Sequence, residues 1–169
     1  MDYLVFLTGL FLLTAGVGCL FLHREERQIS RWPLLAVSLS ALCISIWWGI
    51  LVFTLGVDGL ASPVRVLLGA VFATSLFGFC LSPLVNVKKR SSFSFKWAAM
   101  VALFAVTFTA GFSSFNSAVY AISIIGVSFL GGLKISQFGK ALHKQEKATH
   151  PFITALLFAI IAAVSLLPD

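Results

Sequence analysis

Two adjacent indoles, Trp47 and Trp48, stand inside an otherwise largely aliphatic run from Pro33 to Leu55. An indole N–H removed from water needs an acceptor, so this pair can line an aromatic pocket for a lipid, a quinone or another apolar ligand. Packing against neighbouring phenylalanines is the plainer use of the same residues. Further on, Asp58 and Arg65 flank a short turn. They can meet as an ion pair at the mouth of such a pocket, or simply across the turn, where an exposed pair is worth about 0–1 kcal/mol. Trp47, Trp48, Asp58 and Arg65 form the candidate ligand-binding set.

Other chemistry is sparse. His23, His143 and His150 lie in or beside basic loops, with no acid or cysteine at ligand spacing, so neither a metal site nor a pair of haem ligands is predicted. Cys19, Cys43 and Cys80 each stand alone in an apolar run and read as small buried hydrophobes. No G-x-S-x-G, glycine-rich phosphate loop or H-E-x-x-H occurs. No carboxylate falls inside an apolar run, which argues against a pump built on a buried acid. The expectation is a protein without catalytic residues, cofactor or metal.

The elements that must carry these residues follow from composition. Of 169 residues, 59% are hydrophobic and 11% charged, with a mean hydropathy of +1.02. An ordinary soluble domain is about 25% charged. At roughly 1.5 Å per helical residue, a hydrocarbon layer of about 30 Å takes some 20 residues per crossing. The runs 3–22, 33–55, 64–84, 97–112, 117–133 and 151–167 approach or reach that length. They lack the alternation of barrel strands, so the prediction is an all-α bundle of about six transmembrane helices forming one domain.

Charge sets the orientation. Arg24, Arg27 and Arg31 fall in the first connection, Lys88, Lys89, Arg90 and Lys96 in the third, and Lys134, Lys140, Lys144 and Lys147 in the fifth. Eleven of the 12 lysines and arginines are thus on one side, Arg65 being the exception. Because basic loops stay cytoplasmic, the N-terminus is predicted outside, and the net charge of +6 is explained by topology and not by nucleic acid. Anionic lipid at the cytoplasmic face is the partner this charge implies, alongside the bilayer itself. The first run lacks the basic start of a signal peptide and reads as a retained helix.

Pro33, Pro63 and Pro151 mark helix starts, where a missing N–H costs nothing, and Pro83 marks an end. Trp32, Trp97, Tyr3 and Tyr120 occupy predicted interfacial belts. Gly9, Gly16 and Gly18 smooth the first helix, and Ser128 with Gly132 makes a small-xxx-small step in the fifth, so these residues are predicted to pack helices, within the chain or in a homo-oligomer. The segment from Lys134 to Thr149 can continue the fifth helix.

The first two runs carry a resemblance. An apolar helix, the loop His23-Arg24-Glu25-Glu26-Arg27-Gln28, and Arg31-Trp32-Pro33-Leu34-Leu35 opening a second helix resemble the multispanning N-terminal sensory module of bacterial membrane histidine kinases and diguanylate cyclases. Those modules often carry His-Gly and Glu-Trp steps in the second helix. Here the stretch reads Leu42-Cys43-Ile44-Ser45-Ile46-Trp47-Trp48, keeping only Trp48. The resemblance implies a non-enzymatic sensory or ligand-binding module of a bacterial inner membrane. Such modules usually have an odd number of spans, whereas six would leave Asp169 outside, as in a fragment or a different, stand-alone protein. A structural or assembly subunit of a larger membrane complex is the alternative, and a small transporter or channel the third.

Overall fold

Inside a bilayer a backbone N–H or C=O has no water to bond, and an apolar run satisfies both by coiling on itself. The computed structural model, which describes residues 2–25, 32–55, 61–82, 93–112, 117–143 and 151–167, is helical in all six runs. The helices are α1 (Asp2–Glu25), α2 (Trp32–Leu55), α3 (Ala61–Leu81), α4 (Phe93–Phe112), α5 (Ser117–His143) and α6 (Pro151–Leu166). No strand occurs among the described residues.

Five of these helices, α1 to α5, are long and apolar enough to cross a membrane. The sixth has 16 residues, roughly 24 Å at the usual rise and short of the ~30 Å of a hydrocarbon core. The chain is an all-α bundle compatible with a multi-pass membrane protein. Its outward faces are apolar, with Phe11, Phe21, Phe95 and Val101 exposed. Exposed apolar residues this extensive call for a lipid surround.

Helix α3 is the centre. It packs against α2, α4, α5 and α6, whereas among the described residues α1 touches only α2. Val66, Ala70, Phe72, Ala73 and Leu76 on α3 are fully buried. Close approach depends on small residues opposite large ones: Leu76 lies against Gly131 of α5, and Met100 of α4 against Gly78. A Cβ at Gly131 would stand 2.7 Å from Leu76 Cδ1. Between α2 and α3, Ser38 and Ser75 share a buried hydroxyl hydrogen bond of 2.8 Å.

Several basic residues read as loop residues lie on helices. Arg24 is in the last turn of α1, Lys96 is in the first turn of α4, and Lys134 and Lys140 are on α5, which continues past Leu133 to His143, as the sequence from Lys134 onward allowed. Lysine and arginine are good helix formers, so a helix does not stop where its apolar run stops. The placement matters most at Lys134, whose Nζ donates to the carbonyl oxygens of Cys80 and Ser82. Those oxygens belong to the end of α3, where the last turn of any helix leaves acceptors open, and a cation there also meets the negative end of the helix dipole. Arg27, Arg31, Lys88, Lys89, Arg90, Lys144 and Lys147 lie outside the described residues.

Two belt assignments are also corrected. Trp32 is 6% exposed and Tyr120 is fully buried. Tyr3 and Trp97 do face outward.

Candidate functional site

The candidate site arises where α6 stops and α2 does not. The last carbonyl groups of a helix have no partner within it, and in lipid they must be met by side chains. Ser45 of α2 donates to the Ser165 carbonyl oxygen at 2.6 Å. Tyr120 of α5 donates to the Leu166 carbonyl oxygen at 3.0 Å, with the Arg65 carbonyl oxygen at 3.3 Å as the alternative acceptor for its single proton. These bonds hold the end of α6 against the middle of α2.

Beyond that point α2 continues for more than two turns without α6 beside it. The space left is a cleft of about 450 Å³, within the ~300–1,000 Å³ of small-molecule sites. Ser45, Ile46, Gly49, Ile50, Phe53 and Thr54 of α2 form its long wall. Their spacing of four along the helix places them on one face. Val164 and Ser165 close the end, Val5 of α1 forms one flank, and Arg65 of α3 supplies the cation.

Two features define what this cleft can accept. Among the described residues α1 and α6 do not contact each other, so the cleft opens sideways between them, and its rim residues Phe53 and Val164 are 88% and 80% exposed. A molecule dissolved in the bilayer can enter without crossing water. The second feature is a single cation against the middle of an otherwise largely apolar wall. The Arg65 guanidinium lies over Gly49, where a Cβ would stand 3.5 Å from Nη2. Thr54 spends its hydroxyl on the Ile50 carbonyl oxygen at 3.0 Å, and Ser165 on that of Ile161 at 2.8 Å. The site is thus a largely apolar trough with a guanidinium against the middle of its α2 wall, a combination that suits an amphiphile.

The candidate set is divided by this geometry. Arg65 lines the cleft; Trp47 and Trp48 are not among its lining residues, and Asp58 lies outside the described residues. Trp47 faces α1 instead, stacked on Phe6 with ring centroids 5.8 Å apart and an interplanar angle of 15°. Its ring occupies the space a Cβ on Gly9 would need. The Nε1 atoms of both tryptophans are buried without a hydrogen-bond partner among the described residues.

Of the other small residues, Gly16 sits at ordinary contact distance from α2, where a Cβ would be 3.5 Å from the Ala36 carbonyl oxygen. At Gly18 a Cβ would meet nothing within 4 Å, so no described part of this chain packs there. Ser128 and Gly132 are both buried, and Ser128 returns its hydroxyl to the Ile124 carbonyl oxygen. No group of three or more potential metal ligands occurs among the described residues.

Sequence reasoning missed Ser45, Gly49 and Tyr120. The available signal was Arg65 itself, set apart in the sequence from the other basic residues, but the residues that line the cleft with it come from three other helices. Compared with family models, curated proteins and solved structures, the chain matches none.

Proposed function

We propose that this protein is a non-enzymatic ligand-binding module that receives an amphiphile from the bilayer in the cleft beside α2. The observation that carries this reading is the sideways opening between α1 and α6, with an apolar wall and Arg65 beside Gly49 at its middle. With the basic loops assigned to the cytoplasm, the cleft lies toward the outer face of a bacterial inner membrane.

A sensory role extends the same reading, as the resemblance of the first two runs implies. Tyr120, which ties α5 to the end of α6, stands at one end of a helix of 27 residues. That helix is roughly 40 Å long, more than a hydrocarbon core needs. Its far end projects toward the basic, cytoplasmic side, where occupancy of the cleft becomes readable as a change in the Gln137–His143 turns.

The test is photolabelling in proteoliposomes with a phospholipid bearing a diazirine on its acyl chain, followed by peptide mapping. Labelling concentrated on Ile50, Phe53 and Val164 is expected. Equal labelling of outward residues on α4, such as Phe95 and Val101, would remove the reading. A structural subunit of a larger complex is the second reading, favoured by Gly18, a gap in the α1 surface that no described part of this chain fills. Native purification with fixed-ratio partners would support it, and a lone lipid-surrounded chain would not.

A further inference from the structure

The hydrogen bonds at the closed end of the cleft narrow the ligand class, on the condition that the cleft is a binding site at all. We infer that the occupant is a neutral amphiphile bearing a hydroxyl group, seated with that hydroxyl donating to the Ser165 side-chain oxygen and its chain along α2.

A serine or threonine hydroxyl has one proton to give, and every hydroxyl lining the cleft has already given it. Ser45 donates to the Ser165 carbonyl oxygen at 2.6 Å and Ser165 to that of Ile161 at 2.8 Å, while Thr54 shares its proton between the Ile50 and Leu51 carbonyl oxygens, each at 3.0 Å. Beside the closed end, the Tyr120 hydroxyl is spent on Leu166 and the Leu167 amide on the Ala163 carbonyl oxygen at 3.0 Å. What these groups still offer a ligand is lone pairs. The end of α6 adds the negative pole of a helix dipole, which favours a donor in the same place.

Burial makes that bias count. A hydroxyl dissolved in hydrocarbon has no acceptor, and its removal from water is costly until it finds one. Ser165 lines the cleft, and Ser45 beside it is 1% exposed. An alcohol that enters sideways from the bilayer therefore gains its acceptor at this end, and Ile46, Ile50 and Phe53 leave the α2 wall to its chain. The Arg65 guanidinium lies over Gly49, about one helical turn from Ser45, and already has an interaction within the protein, so it does not set this selection.

Probes that differ by one donor test the inference. The full chain in phosphatidylcholine proteoliposomes is photolabelled with a hexadecanol bearing a diazirine in its chain. Unlabelled hexadecanol, hexadecyl methyl ether and palmitate then compete at equal mole fractions in the bilayer. The ether keeps the oxygen and the chain but cannot donate. Labelling of Ile46, Ile50 and Val164 is expected, and hexadecanol is expected to displace it about fivefold more strongly than the ether, the span of one neutral hydrogen bond. Ser165→Ala is expected to remove most of that difference and Ser165→Thr to keep it. Gly49→Leu, which fills the trough, is expected to weaken labelling of all three residues.

The outcomes separate the two readings. If labelling concentrates on those residues but alcohol and ether displace it equally, the cleft stands and the hydroxyl assignment falls. Stronger displacement by palmitate hands the selection to the Arg65 charge and also overturns the assignment, as does an undiminished preference in Ser165→Ala. If labelling spreads to outward residues such as Phe95 and Val101, or is unchanged in Gly49→Leu, the cleft is not the site and both readings fall. The map and the alcohol–ether comparison use wild type alone, so poor folding of a variant leaves the decision intact.

Discussion

The Tyr120 hydroxyl donates to the Leu166 carbonyl oxygen at 3.0 Å, joining the first turn of α5 to the last turn of α6 in a fully buried place. Tyr120→Phe keeps the ring and deletes only the donor. Leaving a buried carbonyl without its partner costs about 1–3 kcal/mol. The variant is expected to melt at a lower temperature in detergent, followed by circular dichroism. An unchanged melt would mean that the end of α6 is satisfied in another way.

The same ring explains a glycine. A Cβ at Gly69 would collide with the Tyr120 hydroxyl, whereas one at Gly126 would meet nothing within 4 Å. Gly69→Ala is expected to destabilise by about 1–3 kcal/mol through overpacking. Gly126→Ala is expected to be neutral or to stabilise by about 0.5–1 kcal/mol, because alanine loses less backbone freedom in a helix. Thermal unfolding of the pair decides it; equal effects would refute the packing assignment.

Lys134→Ala leaves the Cys80 and Ser82 carbonyl oxygens without the ammonium that now caps them. The last turn of α3 is expected to open, seen as faster amide hydrogen exchange over residues 79–82 than in wild type. Exchange in the middle of α3, around Ala70 and Ala73, is expected to stay slow. Uniformly faster exchange along α3 would indicate a core role for Lys134.

Trp47 holds α1 in place. Truncating a large buried aromatic costs about 3–5 kcal/mol, and a half-buried one about half of that. Because among the described residues α1 contacts only α2, Trp47→Ala is expected to loosen α1 alone. Cys19 of α1 and Cys43 of α2 are both buried and free. Thiol labelling of Cys19 is expected to speed up by about tenfold or more while Cys43 stays slow, one factor of ten being about 1.4 kcal/mol. Equal acceleration of both thiols would show that the whole bundle had loosened.

Much of the architecture is legible in the residues. Long apolar runs must become helices because lipid offers no other partner for the backbone, and Pro33 and Pro151 sit in first turns where the sequence places them. Ends were less legible. Hydropathy reports where a run leaves water, and α5 continues as a helix well beyond that point because Lys134 and Lys140 are as compatible with helix as leucine.

Facing was hardest to read. A helix in lipid is apolar on its buried and its exposed sides alike, so no amphipathic stripe shows which residues meet. Gly9 and Gly18 look alike in sequence, yet one receives Trp47 and the other receives nothing. Tyr120 and Tyr3 both sit near helix starts, but only Tyr120 finds two carbonyl oxygens within reach of its hydroxyl. Sequence by itself determined that the chain is a bundle of apolar helices, which end carries the basic residues, and that Arg65 stands apart from them. Tertiary structure alone decided that α6 ends beside Ser45, because a cleft made by one helix stopping short of another is a property of packing and leaves no pattern in either helix.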